Sequence, residues 1–227
     1  MKIRLVSHKL GSASLKRIQE GLSIRLGYRP LRASFPKTNR KNILYGDCKD
    51  KIYQYKWFAE QGLPSLQFTT DAQQAVQWLN EDKILFARKL IRSSEGKGIV
   101  ILEKTSPFVL APVYTIYKKK KREFRIHIYK DSVVQVLEKR KKSSFEGTRE
   151  TKIRNTANGY VFCSENVHEP EGLRELALKA SKVTSSFFKG VDIGYNEKNN
   201  ELFVIEVNSA PGIEGSNVTK YIEAMTS

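Results

Sequence analysis

The chain has 227 residues, 40% hydrophobic and 28% charged, and 40 Lys and Arg stand against 24 Asp and Glu for a formal charge of +16. That size and balance fit a soluble globular protein of one large domain or two small ones, and no apolar run approaches the roughly 20 residues of a membrane-spanning helix. The first sixteen residues, MKIRLVSHKLGSASLK, are too charged for a secretory signal. Lys2 to Val6 predicts a short strand, and Ser12-Ala13-Ser14 caps a helix through Leu15, Ile18, Leu22 and Leu26 that ends at Gly27. Arg29 to Lys41 is a basic, proline-bearing loop with room for a short strand, and Ile43-Leu44-Tyr45 is a second strand, so residues 1–50 form a small βαβ-type layer.

Asp50 caps a helix through Ile52, Tyr55 and Phe58, closed by Gly62 and Pro64. Thr70 or Asp71 caps the next, through Ala75, Val76 and Leu79. Two strands, Ile84 to Arg88 and Ile99 to Leu102, flank a flexible loop, Arg92-Ser93-Ser94-Glu95-Gly96-Lys97-Gly98. Such a loop can wrap phosphate oxygens or simply turn a hairpin, and it lacks the Gly-Lys-Ser/Thr ending of a P-loop. Lys118 to Arg122 is a run of five basic residues, a solvated turn or a ligand contact. From Phe124 to Tyr129 the residues alternate, with Phe124, Ile126 and Ile128 on one face and Arg125, His127 and Tyr129 on the other. Ser132 to Glu138 pairs back, a second basic run covers Lys139 to Lys142, and Tyr160-Val161-Phe162 is extended. The longest helix is expected over Pro170 to Phe188, stopped by Gly190, and a short helix over Asn217 to Met225 closes the chain. Two distant cysteines, Cys48 and Cys163, suit a reducing, cytoplasmic setting without a disulfide framework or zinc site.

The most informative stretch is Val191 to Glu214, VDIGYNEKNNELFVIEVNSAPGIE. Along a strand Glu206 and Asn208 share a face, while Ile205 and Val207 take the other. If the Asn-rich segment makes a hairpin, Asp192 returns opposite them. Two carboxylates and an amide oxygen then converge as a hard-oxygen site for magnesium; the alternative is a surface hairpin with solvated acids.

These residues resemble the ATP-grasp superfamily, within it the branch of the ribosomal-protein glutamate ligase and glutathione synthetase. The likeness rests on Gly190-Val191-Asp192-Ile193 and on Glu206-Val207-Asn208-Ser209-Ala210-Pro211-Gly212-Ile213-Glu214-Gly215, with Ala210 where the family has serine. Lys51 to Pro64, Arg88 with its Ser/Gly loop, and Glu123-Phe124-Arg125-Ile126 add to it, and Glu138-Lys139-Arg140 and Asn155 match more loosely. It covers roughly residues 50 to 225.

The resemblance implies an α/β chain with ATP held between two α+β subdomains, each with an antiparallel sheet: residues 51–112 with a lid at 93–98, and residues 113–227 with the metal site, behind the reduced N-terminal layer. It implies Asp192, Glu206 and Asn208 as ligands of magnesium, with manganese as a substitute, and Arg125 at the transferring phosphate. Lys51, Arg88, Ser93, Ser94, Gly96, Gly98, Lys139, Arg140 and Asn155 would meet ATP or substrate, and Ala111, Pro112, Val113 and Tyr114 would be the hinge offering backbone groups to adenine. The acid that follows the hinge in the family to bind ribose has no evident counterpart, because Lys118 to Arg122 occupies that region.

The implied chemistry is ADP-forming carboxylate–amine ligation through an acyl phosphate, which needs positioning and charge neutralisation rather than an enzyme nucleophile. The clustered positive charge points to a polyanionic acceptor, an acidic polypeptide before a nucleic acid, with no membrane partner. The alternatives are a nucleic-acid-binding module and an ATP-grasp protein that binds nucleotide without ligating.

Overall fold

The computed structural model describes residues 2–7, 10–39, 41–47, 50–92, 96–147 and 151–227. Their strands form three sheets. The N-terminal layer runs β1 (Ile3–Val6), α1 (Ala13–Leu26), β2 (Leu31–Ala33) and β3 (Lys41–Leu44), with the strands parallel in the order β2-β1-β3. Ser12 caps α1 by accepting from Leu15 N, and Gly27 ends it at φ 68, as the sequence predicts.

Helix α2 (Lys51–Glu60) follows its Asp50 cap. The smaller antiparallel sheet comprises β4 (Phe68–Thr69), β5 (Leu85–Arg88), β6 (Ile99–Leu102) and β7 (Val113–Ile116) in the order β4-β7-β5-β6. Helix α3 (Ala72–Asn80), capped by Asp71, covers it with Ala75, Trp78 and Leu79 against Leu85, Ala87 and Tyr114.

The larger antiparallel sheet holds β8 (Arg122–Tyr129), β9 (Ser132–Lys141), β10 (Tyr160–Cys163), β11 (Phe188–Asn196) and β12 (Glu201–Asn208) in the order β10-β9-β8-β11-β12. Its alternation decides the molecule's layout. Phe124, Ile126 and Ile128 of β8, with Val191 and Ile193 of β11, face the main core. There they meet Leu176, Ala177 and Ala180 of α4 (Leu173–Ser181) and Tyr55 and Phe58 of α2. Each large apolar side chain so removed from water contributes roughly 1.5–3 kcal/mol. The polar partners on β8 are left for the opposite face. Part of that face is closed by α5 (Ser216–Thr226), whose Tyr221 and Met225 join Leu15, Ile18 and Leu22 of α1 in a second core with Tyr129 and Phe188.

Two expectations need correction. The helix expected over Pro170 to Phe188 is only Leu173–Ser181. Beyond it Thr184, Ser185 and Ser186 are drawn to other segments: Thr184 Oγ1 donates to Asp47 Oδ2, Ser185 N to the same carboxylate, and Ser186 Oγ lies 2.6 Å from Ser209 O. Gly190 is mid-strand in β11 and stops nothing. The boundary expected at residue 112 precedes β7, which hydrogen-bonds to β5 in the smaller sheet, while α2 packs on the larger one. No helix of the described residues is long and apolar enough to cross a membrane.

Candidate active site

A cleft of about 560 Å³ lies between the two antiparallel sheets, reaching from Phe86 and Arg88 on β5 to Asp192, Glu206 and Asn208 on the larger sheet. Its floor is set by strand register. Asp192 on β11 stands opposite Arg125 on β8 and Glu206 on β12, so a cation and two carboxylates form one row across three adjacent strands. Gly190 lies opposite His127 on one side and Asn208 on the other. A Cβ on Gly190 would come 3.0 Å from Pro211 Cβ and 3.7 Å from Arg125 Cδ, so glycine there lets Arg125 and the 209–215 loop approach the floor.

The row is ion-paired along its length. Arg125 donates from Nε to Asp192 Oδ1 at 2.7 Å and from Nη2 to Oδ2 at 2.6 Å, the two-pronged geometry that guanidinium favours. Lys51, in the first turn of α2, pairs with Glu206 Oε2, and Asn208 Nδ2 lies 3.3 Å from Glu206 Oε1. Burial works against the charge on Glu206, but Lys51, Arg88 and Arg125 outweigh it and hold the carboxyl well below the usual carboxylate range. Burial likewise opposes the Arg125 charge and Asp192 overcomes it, so its pKa is raised. Helix α2 is fixed to β12 by Gln54, whose amide donates to Val207 O and accepts from Val207 N.

Beside the row, Glu123 is buried between Lys139 and Lys120. Desolvation resists its charge, yet the two ammonium groups keep its carboxyl below the ordinary range. Burial lowers the Lys120 pKa, with Glu123 pulling the other way. Above the floor, Arg88 is 5% exposed, its Nε has no hydrogen-bond partner, and its guanidinium lies 6.0 Å from the Tyr55 ring. From the segment between β5 and β6, Gly96 enters the cleft at φ 73, where a Cβ would fall 2.9 Å from Ile153 Cγ2 and 3.3 Å from Asn155 Nδ2.

The structure therefore places Arg88, Gly96, Arg125, Lys139, Asn155, Asp192, Glu206 and Asn208 on one cleft. Ser93 and Ser94 lie outside the described residues. Lys51 reaches Glu206 from α2, and Gly98 packs on Leu90. Arg140, one step along β9 from Lys139, turns away to Glu138 and the carbonyls of Glu165 and Asn166. The expected hinge at Ala111–Tyr114 is not at the cleft. Val113 and Tyr114 are fully buried in β7, between β4 and β5, where sheet pairing engages their backbone, and Ala111 N donates to Tyr114 Oη. The chain instead crosses to the larger sheet over residues 117–121, which brings Lys120 to the cleft.

Three further residues reach the cleft or its wall without having been expected there from the sequence. Glu123 lines the cleft, an acid directly after the basic run, and its two-residue spacing from Arg125 is the signal that could have found it. Ile205 is expected on the face opposite Glu206. A register shift between Asp192 and Ile193 places the extra residue of β12 at Ile205, and Ile205 lines the cleft beside Glu206. Arg154 donates from Nη2 to the carbonyls of Lys120 and Lys121 and ties the 151–158 segment to the cleft wall. The basic run Lys118 to Arg122 is mostly paired, Lys118 with Glu201, Lys120 with Glu123, Lys121 with Glu197 and Arg122 with Glu138.

Among the described residues no three His, Cys, Asp or Glu side chains converge as metal ligands; the candidate set is two carboxylates and one amide. Its chemistry fits magnesium, which takes oxygen ligands and commonly needs only one or two carboxylates besides phosphate.

No curated protein matches the chain. In overall structure it is similar to the ATP-grasp ligase PsnB complexed with a minimal precursor, at 13% identity and TM-score 0.70, covering 100% of this chain and 98% of that one. PsnB has also been solved with precursor, Mg and ADP. A RiPP-associated ATP-grasp ligase of Chryseobacterium gregarium, in complex with ADP and a leader and core peptide, matches at 10% identity and TM-score 0.62 over 100% of this chain and 96% of that one. The D-alanine–D-alanine ligase of Bacillus anthracis matches at 13% identity and TM-score 0.62 over 100% and 92%. The sequence of residues 49–226 matches the RimK-like ATP-grasp domain, and the chain belongs to that family.

Proposed function

We propose that the chain is an ATP- and magnesium-dependent carboxylate–amine ligase that forms an amide through an acyl phosphate, releases ADP, works in the cytoplasm and takes an acidic polypeptide as one substrate. The observation that carries this reading is the row Arg125–Asp192–Glu206 at the floor of a cleft between two antiparallel sheets. Asp192, Glu206 and Asn208 would hold magnesium, which when bound supplies charge neutralisation at the phosphates.

The remaining work falls to the chain's own side chains. Arg125, seated by Asp192, keeps a fixed guanidinium beside the position of charge transfer and offers preorganised stabilisation there. Arg88 brings a buried cation with a free Nε from the smaller sheet, suited to a phosphate oxygen. Gly96 carries the lid backbone in to the 151–158 segment, and closure there would exclude water from an activated carboxyl.

For the acidic polypeptide, six cations line the cleft, Arg88, Lys120, Arg125, Lys139, Lys152 and Arg154, against Glu123, Asp192, Glu206 and Glu214. The peptides bound by PsnB and by the Chryseobacterium gregarium ligase agree with a polypeptide. The test is ADP formation screened against amino acids, acidic peptides and oligonucleotides, with mass spectrometry of the products. The proposal expects a product heavier by one condensation, formed from an acidic peptide, with affinity falling as salt rises. ADP release without any condensed product would favour the non-ligating alternative.

A further inference from the structure

The N-terminal layer holds positive charge that the cleft does not use. Residues 1–50 contain twelve Lys and Arg against three acids, Glu20, Asp47 and Asp50, so nine of the sixteen net charges sit in about a fifth of the chain. Two of those acids are engaged: Asp50 caps α2, and Asp47 accepts from Thr184 and Ser185. Among the described residues no Lys or Arg of the layer has an acid partner, whereas the run at 118–122 is mostly paired. No residue before Phe86 lines the cleft.

On one face of the layer this charge is joined to apolar surface. Ile3, Leu5 and Ile43 turn toward α1 and α5. Alternation puts Arg4, Leu31 and Asn42 on the other face, in register across the three strands. The segment 34–39 is pinned there. Arg4 donates from Nε to Phe35 O at 2.9 Å and lies 5.4 Å from the Phe35 ring. Asn42 Oδ1 accepts from Lys37 N at 3.0 Å, and its Nδ2 donates to Lys37 O at 2.8 Å. Parallel sheets are ordinarily covered on both faces, yet Leu31 is 51% and Phe35 60% exposed. Arg29 and Lys37, both exposed, flank them. Arg32 stands on the opposite face of β2 from Leu31, and β2 pairs with β1 alone among the described strands, so its outer edge is open.

We infer that this face and the open edge of β2 form a docking surface, outside the cleft, for an acidic segment of the polypeptide substrate. The inference rests on the ligase reading above for the identity of that polypeptide. An extended segment adds to an open edge through its backbone. Its side chains alternate, so those on the side of Leu31 and Phe35 are apolar and those opposite Arg32 are carboxylates, while Arg29 and Lys37 meet further acids. A nucleic acid would use the cations but has no backbone amides for the edge and no aliphatic group for Leu31. Docking here raises the local concentration of the reacting group at the cleft.

The test is fluorescence anisotropy of a labelled dodecapeptide of alternating Glu and Leu, without nucleotide, on variants whose circular dichroism is native. The triple variant Arg29→Ser, Arg32→Ser, Lys37→Ser is expected to bind about 30-fold more weakly, the scale of three exposed ion pairs. Leu31→Ser with Phe35→Ser is expected to lose about tenfold, the scale of partial apolar burial. Arg88→Met, in the cleft, is expected to bind as wild type. Unchanged affinity in both surface variants, or an equal loss in Arg88→Met, overturns the docking surface. Oligothymidylate that binds the wild-type chain more tightly than the peptide, and is lost in the triple variant, assigns the surface to nucleic acid and overturns it too. Turnover with ATP, magnesium and glycinamide supplies a second reading. Tetraglutamate joined to the dodecapeptide is expected to show a KM about tenfold below that of N-acetyl-tetraglutamate, and Leu31→Ser with Phe35→Ser to erase the difference at unchanged kcat. Equal KM values in the wild-type chain contradict docking of the substrate. No amide from either peptide overturns the ligase reading, and the anisotropy then decides the surface by itself.

Discussion

The two sheets that face each other across the cleft are built to different standards of rigidity. The larger sheet is packed on both faces, by α2 and α4 on one and by α5 and the N-terminal layer on the other. Its charged row is already paired, Arg125 to Asp192 and Glu206 to Lys51. The smaller sheet is covered by α3 and touches α2 through Phe68 and Val113 against Tyr55 and Phe58, and its cation, Arg88, has an unpartnered Nε. The floor is therefore preorganised, its electrostatics fixed before any ligand arrives. The roof carries an unused donor.

If that contrast is right, the greatest effect comes from the floor. Glu206→Gln should reduce magnesium-dependent ADP formation more than about 1,000-fold, beyond the usual effect of removing a single electrostatic group, while circular dichroism stays native. Full activity in that variant would remove the metal assignment. Next in size is Arg125→Ala. Its rate should drop about 100- to 1,000-fold with little change in KM for ATP. The same change leaves Asp192 buried without its partner, so chemical unfolding should show a destabilisation of roughly 3–5 kcal/mol. A change in KM alone, at full stability, would place Arg125 outside the floor as described.

The roof should behave oppositely. Arg88→Met is expected to raise KM for ATP about tenfold, the worth of one charged hydrogen bond, and to lower the melting temperature less than Arg125→Ala does. A loss as large as that of Arg125→Ala would mean that Arg88 is a structural cation. His127 gives a smaller effect that reads the floor through pH. Its folded pKa, about 3, lies below the ordinary histidine value. Between those two values the unfolded chain binds the extra proton, so stability contributed by the neutral ring is full above the ordinary value and is lost as pH falls toward 3. His127→Gln should flatten that decline, measured as melting temperature against pH; an identical slope would contradict the buried, neutral ring. The smallest effect concerns the lid: amides of 96–102 should exchange faster than those of β8 and slow on addition of magnesium and a non-hydrolysable ATP analogue. Equal exchange in both sheets would erase the contrast.

What could be read from the sequence divides along the same physical line. Period-two alternation placed Arg125 and His127 opposite Phe124 and Ile126, and the Asn-rich turn brought Asp192 back against Glu206. Local rules govern both. The bulge at Ile205 could not be read, because an extra residue in a strand leaves no periodic mark. Nor could the pairing of the basic run, which depends on Glu123, Glu138, Glu197 and Glu201 arriving from elsewhere in the fold. The helix predicted over Pro170 to Phe188 failed for a related reason: its apolar spacing continued past Ser181, but side-chain bonds to Asp47 and Ser209 claimed the segment first. Nor could it be read that the expected hinge residues Val113 and Tyr114 lie in the middle of a sheet, because their apolar character suits a strand and a crossover alike.

The central claim is that the cleft activates a carboxylate by phosphorylating it. Its most direct test uses N-acetyl-tetraglutamate labelled with 18O in its carboxylates, together with ATP, magnesium and glycinamide, and follows the phosphate released. Activation as an acyl phosphate transfers one labelled oxygen to each phosphate that accompanies an amide product. Amide formation with unlabelled phosphate, or labelled peptide recovered unchanged while ATP is hydrolysed, would contradict it.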